Sequence, residues 1–219
     1  RDEAQARIGS GIPGDRLLLD NTAERFRATP LAEAMRQPFS LAHFKLGVFD
    51  APGRFLHGFE RQVLDPWRAA LTANGFTFDR CYPIIFISGP GCATNYHLDF
   101  SHVLAWQIHG RKRFCGLRDP DRWVPREQRV NYKAGGLARP PELDEARDAL
   151  CFDMPPGAVL WNILLTPHWV NAGQEVAMSV NLSHGGLRWQ GHLSPHEQEL
   201  EDFRRDTAGQ APPAVKGSY

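Results

Sequence analysis

Between residues 82 and 183 the chain falls into short runs of β-branched and aromatic residues, and no other feature limits its possible folds as much. The runs are "YPIIFIS" (82–88), "VLAWQI" (103–108), "KRFCGL" (112–117), "AVLWNIL" (158–164) and "VAMSVNLS" (176–183). Gly, Pro and polar clusters lie between them, as expected of strands joined by turns. A chain with this many short strands buries its apolar faces by doubling or closing its sheet, so a sandwich or a barrel is expected. With 219 residues and 42% hydrophobic content, one core with additions is expected, not two domains.

Around this β core, 81–185, the texture changes. Residues 1–30 are charged, carry "GSGIPGD" and read as an arm along the domain. The part from 31 to 80 reads as helical. From Arg54 to Asn74, apolar residues recur at Phe55, Phe59, Val63, Trp67 and Leu71, one helical stripe, with Gly75 as its stop and Pro66 splitting it into shorter helices. The polar stretch 119–149, with Gly135-Gly136, reads as a helical turn plus a long loop inserted between strands. Over 186–219, Ser194 caps a helix beginning at Pro195, Glu197 completes a capping box, Leu200 and Phe203 form its apolar side, and the tail after Gly209 reads as disordered.

The 25 basic and 25 acidic residues cancel. The chain therefore lacks the charge excess that neutralises nucleic-acid phosphates, and no nucleic-acid partner is expected. No apolar run approaches the ~18 residues of a membrane span, so no membrane partner is expected either. Cys81, Cys92, Cys115 and Cys151 contain no C-x-x-C pair, and the visible N-terminus has no signal-peptide core; reduced thiols in a cytoplasm are the expectation.

His97 and Asp99 stand two apart in "NYHLDF", so in extended backbone both side chains leave one face and can grip one ion. A second imidazole has to come from elsewhere: His43, His57, His102, His109, His168, His184, His192 or His196. His168 follows the strand opening "PPGAVLW" and precedes another strand, which puts it at a strand end. Two histidines and a carboxylate on one face of an octahedral ion leave three positions open, which suits non-haem Fe(II). Lys112 opens a strand after Gly110, with Phe114 two residues on and on the same face. A cation turned inward there needs an anion, because an unpaired buried charge is costly.

The run "GPGCATNYHLDFSHVLAWQIHGRKRF" (89–114) resembles the core of the JmjC and cupin-like 2-oxoglutarate oxygenases, notably the branch of the asparaginyl hydroxylase that modifies hypoxia-inducible factor. The shared features are the H-x-D pair, the strand after it and a Q-I-x-G-x-K-R turn. The run "PPGAVLWNILLTPHWVNAGQEVAMSVNLS" (155–183) is similar to that family's "PGDVLYIPPGWWHxV…SISVN" segment, without a gap from Gly157 to His168. The resemblance implies a mainly β fold, a double-stranded β-helix of the cupin or jelly-roll kind, with N-terminal helices and a short C-terminal helix. It implies His97, Asp99 and His168 as the catalytic metal ligands and Lys112 as the partner of the distal carboxylate of 2-oxoglutarate. It also implies that the Thr94 hydroxyl touches that carboxylate and that Asn181 lies near the site. The chain departs from the pattern at Ala158, at "NILLT" before the last ligand and at Val103. Trp106, Trp161 and Trp169 read as core or pocket wall, and Tyr96 as a contact to substrate or co-substrate.

The function expected is that of an Fe(II)- and 2-oxoglutarate-dependent dioxygenase, releasing succinate and CO₂ while hydroxylating a peptide, a protein side chain or a small metabolite. One competitor is a metal-dependent cupin that does not use 2-oxoglutarate, an isomerase or ring-cleaving dioxygenase; another is a non-catalytic ligand-binding cupin. Within the insertion Arg122, Arg126, Arg129, Lys133 and Arg139 give residues 122–139 a local basic excess, which points to an acidic group on the substrate. Homodimer formation is left open.

Overall fold

The computed structural model describes residues 6–9, 26–43, 46–94, 96–132, 137, 140 and 142–207. Its strands are β1 (Ala6–Gly9), β2 (Ser40–His43), β3 (Phe76–Thr77), β4 (Arg80–Ser88), β5 (His102–His109), β6 (Lys112–Leu117), β7 (Ala149–Met154), β8 (Val159–Asn162), β9 (His168–Ala172), β10 (Ala177–Gly185), β11 (Arg188–Trp189) and β12 (His192–Leu193). One sheet runs β1-β2-β4-β10-β5-β8 and a second β7-β6-β9; a small sheet, β12-β11-β3, lies apart. The stretch around residues 93–97 joins the second sheet through bridges of Ala93 to Asn171 and His97 to His168.

Taken in chain order from β4, these eight segments pair first with last, last with third and third with sixth in one sheet. In the other they pair second with seventh, seventh with fourth and fourth with fifth, every ladder antiparallel. That order is the double-stranded β-helix, a jelly roll. β1 and β2 extend the larger sheet beyond β4, so two strands lie where the sequence reads as an arm and as a helical part.

The alternation along β10 shows what the fold encloses. Val180 and Leu182 face outward and pack with Leu64, Ile85, Leu104 and the N-terminal helices. Each such fully buried aliphatic contributes about 1.5–3 kcal/mol. Ser179 and Ser183 lie on the opposite face with Asn181, so the inner face of β10 is polar. Between the sheets, Ala105, Phe114 and Met154 form a small apolar plug against Ala158, Leu160 and Val170.

The helices are α1 (Leu31–Ala34), α2 (Gly47–Asp50), α3 (Asp65–Ala73), α4 (Pro120–Trp123), α5 (Arg126–Val130), α6 (Glu145–Asp148) and α7 (Pro195–Asp206). The stripe predicted over 54–74 is shorter than expected: regular helix begins near residue 59, and Phe55 is exposed. Pro66 sits in the first turn of α3, where its missing N–H costs nothing, and a π-helical turn, Glu60–Leu64, precedes it. Gly75 follows with φ 81°, the left-handed stop expected of it. Ser194 caps α7 by accepting the Glu197 N–H, but Glu197 does not close a capping box; its Oε1 accepts the N–H groups of Gly186 and Leu187 instead. The tail expected to be disordered, and the Gly135-Gly136 pair, lie outside the described residues. No described helix is long and apolar enough to cross a membrane.

The expectation of four reduced thiols is corrected. Cys115 and Cys151 are directly opposite in the β6–β7 ladder, with Cα atoms 4.1 Å apart, and form a disulfide; Cys81 and Cys92 are free and buried. Their separation of 36 residues hides a pairing that only the strand register creates.

Candidate active site

His97 and His168 are backbone partners: the His97 N–H donates to the His168 carbonyl at 3.0 Å and the His168 N–H to the His97 carbonyl at 2.7 Å. This bridge brings two residues far apart in sequence side by side, with ring centroids 4.2 Å apart. Asp99, two residues past His97, reaches the same point, its Oδ2 3.6 Å from His168 Nε2. The ligand atoms of His97, Asp99 and His168 all lie within 4.8 Å of one another. That donor set, with two imidazoles and a carboxylate and no sulfur, fits a divalent ion such as Fe(II).

The turn before β9 sets the orientation. Leu165, buried and at φ 62°, adopts a left-handed conformation costly for a branched side chain, and its N–H donates to the Asp99 carbonyl at 3.0 Å. His168 Nδ1 donates to the Thr166 carbonyl at 2.9 Å, which leaves Nε2 with a free lone pair on the side of Asp99 and His97. Burial, with His97 beside it, holds the His168 pKa down to about 4, so the ring is neutral and able to ligate. Phe114 stacks on that ring at 5.1 Å. Of the competing histidines, His184 accepts from Trp67 Nε1 at 2.8 Å and His102 lies 3.1 Å from Ser194 Oγ; both serve the outer core.

Lys112 follows the Gly110 turn, where φ is 64° and a Cβ would lie 2.3 Å from the Val176 carbonyl, so only glycine fits. The turn delivers Lys112 to the interior, where it is 7% exposed and its Nζ donates to Ser179 Oγ at 3.2 Å. No carboxylate among the described residues pairs with it, and burial pushes its pKa down to about 8. On the facing wall the Asn181 Oδ1 is buried without a hydrogen-bond partner, as is the Oε1 of Gln107. Thr94 Oγ1 accepts the Val170 N–H at 2.7 Å, so that lone pair is used within the sheet while the hydroxyl hydrogen stays available.

Tyr96 packs with Trp169 behind the smaller sheet, in the cluster under the insertion, so it is turned away from the cluster of His97, Asp99 and His168. Trp161 belongs to the helix-side core and Trp106 is half-buried on β5. Arg129 is buried and bonded to Asp121 and the Val124 carbonyl. Arg122 lies 3.8 Å from Asp148 and Arg126 3.8 Å from Glu199. Lys133 and Arg139 lie outside the described residues. Sequence reasoning missed Ser179 and Gln107; both were within reach of strand alternation, two residues before Asn181 and two after Ala105 on inward faces.

No protein-family model matches the chain, and no curated protein matches it. Among solved structures, it is similar to the ribosomal oxygenase YcfD of Escherichia coli at 21% identity and TM-score 0.44, over 83% of this chain and 38% of that one. A YcfD structure in complex with cobalt and 2-oxoglutarate gives 20% identity and TM-score 0.44, over 83% and 42%. The DMSP lyase DddQ of Ruegeria pomeroyi gives 12% and 0.33, over 49% and 40%. The chain thus spans about two fifths of the length of these proteins. The fold assignment rests on the strand order above.

Proposed function

We propose that this chain is an Fe(II)- and 2-oxoglutarate-dependent oxygenase that hydroxylates a protein or peptide side chain or a small metabolite. The observation that carries the reading is Lys112, a buried ammonium with a hydroxyl for a partner and no carboxylate among the described residues, on the strand whose Phe114 stacks against His168. Such a group is tolerated when an anion completes it. A dicarboxylate reaching from Lys112 toward the His97, Asp99 and His168 cluster meets that need, whereas a cupin working without 2-oxoglutarate leaves Lys112 unexplained.

When bound, Fe(II) with 2-oxoglutarate supplies the oxidation: O₂ and the oxo acid become succinate, CO₂ and one oxygen atom inserted into a substrate C–H bond. His97, Asp99 and His168 would hold the ion on one face and leave the other face to ligands. The Thr166 carbonyl fixes the His168 tautomer, and Phe114 shields that ring from water. Lys112 and Ser179 would hold the distal carboxylate, with Asn181 on the same face of β10 as Ser179. The resemblance to the asparaginyl hydroxylase branch supports hydroxylation over demethylation. An acidic group on the substrate stays part of the proposal with Arg122 and Arg126 as exposed candidates; a KM rising with ionic strength is its sign.

The test is succinate release from Fe(II)-loaded protein with 2-oxoglutarate, O₂ and panels of peptides and metabolites. Succinate formation stimulated by one class and absent in Asp99→Ala is expected; no succinate under any condition would overturn the reading.

A further inference from the structure

We propose that Cys115, Cys151 and Glu145 form a second metal site, open when the two cysteines are reduced and taking a thiolate-seeking divalent ion of the zinc class. Their ligand atoms lie within 4.8 Å of one another, a grouping made by strand register and by α6. Cys115 is fully buried, while Cys151 and Glu145 are half-buried, so the group is reached from the side of the insertion.

Chemistry and neighbours favour this reading. Two thiolates and a carboxylate fill three corners of a tetrahedron and leave the fourth to water, and soft sulfur donors select zinc-like ions over the ions preferred by oxygen donors. Arg113 now holds Glu145 through Nε at 3.3 Å and Asp153 through Nη1 at 3.1 Å. When Glu145 turns to a metal, Arg113 keeps Asp153 as its partner, so no charge is stranded. The oxidised pair has no thiolate to offer. A thiol reductant donates two electrons and two protons to the S–S bond and leaves as its own disulfide; metal binding then displaces both thiol protons. The site lies on the outer face of β6, in the cluster with Leu117 and Trp169, opposite the face on which Phe114 meets His168.

The full chain, reduced with a phosphine, desalted and freed of metal, is titrated anaerobically with Co(II) and separately with Zn(II). A thiolate-to-cobalt charge-transfer band is expected in the reduced protein and absent from the oxidised one. The band should survive in the His97→Ala/His168→Ala variant, which separates this site from the proposed iron centre. It should vanish in Cys115→Ser/Cys151→Ser, and in Cys151→Ser alone should the double variant fail to fold. Glu145→Gln should weaken Zn(II) binding at this site at least tenfold. No band in the reduced wild type, a band that persists without Cys151, or unchanged Zn(II) affinity in Glu145→Gln would overturn the proposal.

Discussion

At the residue scale, Lys112 carries a buried charge. Its pKa, lowered from 10.5 to about 8 by burial, means that the charged form is costly in the ligand-free fold by on the order of 3 kcal/mol. The unfolded chain binds this proton up to about 10.5, so below pH 8 the cost is fully present, and stability recovers as pH rises from 8 toward 10.5. Lys112→Met should therefore raise the melting temperature of the ligand-free protein by a few degrees at pH 7 while removing the stabilisation that 2-oxoglutarate gives the wild type. Thermal melts of both proteins with and without the ligand check this; a lower melting temperature for the variant would mean that the lysine is already paired. The proposed metal ligands behave differently. His97→Ala, Asp99→Ala and His168→Ala should each lose tight Fe(II) binding by titration, because each removes one of three donors that converge within 4.8 Å.

At the element scale two attachments hold the additions to the β core. The Cys115–Cys151 bond ties β6 to β7 across the base of the insertion and closes a loop of 36 residues, worth about 4 kcal/mol by loop entropy. Reduction should lower the melting temperature by roughly 10 °C, and the Cys115→Ser/Cys151→Ser variant should melt alike with and without reductant. The C-terminal helix α7 is attached through Glu197, whose buried carboxylate takes the N–H groups of Gly186 and Leu187. Glu197→Ala leaves both donors unmet and should cost about 2–4 kcal/mol in denaturant melts, while Glu197→Gln, which keeps an acceptor oxygen, should cost much less. Neither attachment was legible in the sequence. "SPHE" has the pattern of a capping box, and only the neighbouring β10–β11 link shows why its glutamate turns elsewhere. The two cysteines look unrelated until the register sets them face to face.

At the scale of the whole molecule, β4, β5, β6, β8 and β10 were legible because their runs alternate or break at Gly and Pro, and β10 is the clearest case, polar inward at Ser179 and Asn181, apolar outward at Val180 and Leu182. Sequence reasoning overlooked β7, since "ALCFDM" follows a polar insertion and carries no strong period, and β2, which forms by pairing with β4 rather than by its own propensity. The His97 and Asp99 pair could be read locally from its spacing, whereas His168 needed the resemblance, because its place beside them comes from a bridge between strands 71 residues apart in the chain. Tyr96 shows the limit of local reading: adjacency to a ligand in an extended segment sends it to the opposite face. The proposed centre holds a metal through His97, Asp99 and His168 and a dicarboxylate through Lys112. Its most direct test is an anaerobic titration of 2-oxoglutarate into Fe(II)-loaded protein, followed by the metal-to-ligand absorption. Saturable binding is expected in the wild type and, in Lys112→Ala, a Kd raised more than tenfold with Fe(II) affinity nearly unchanged, as truncating a charge-assisted pair costs ~2–5 kcal/mol. An unchanged Kd in that variant, or no 2-oxoglutarate binding to the wild type, would contradict it.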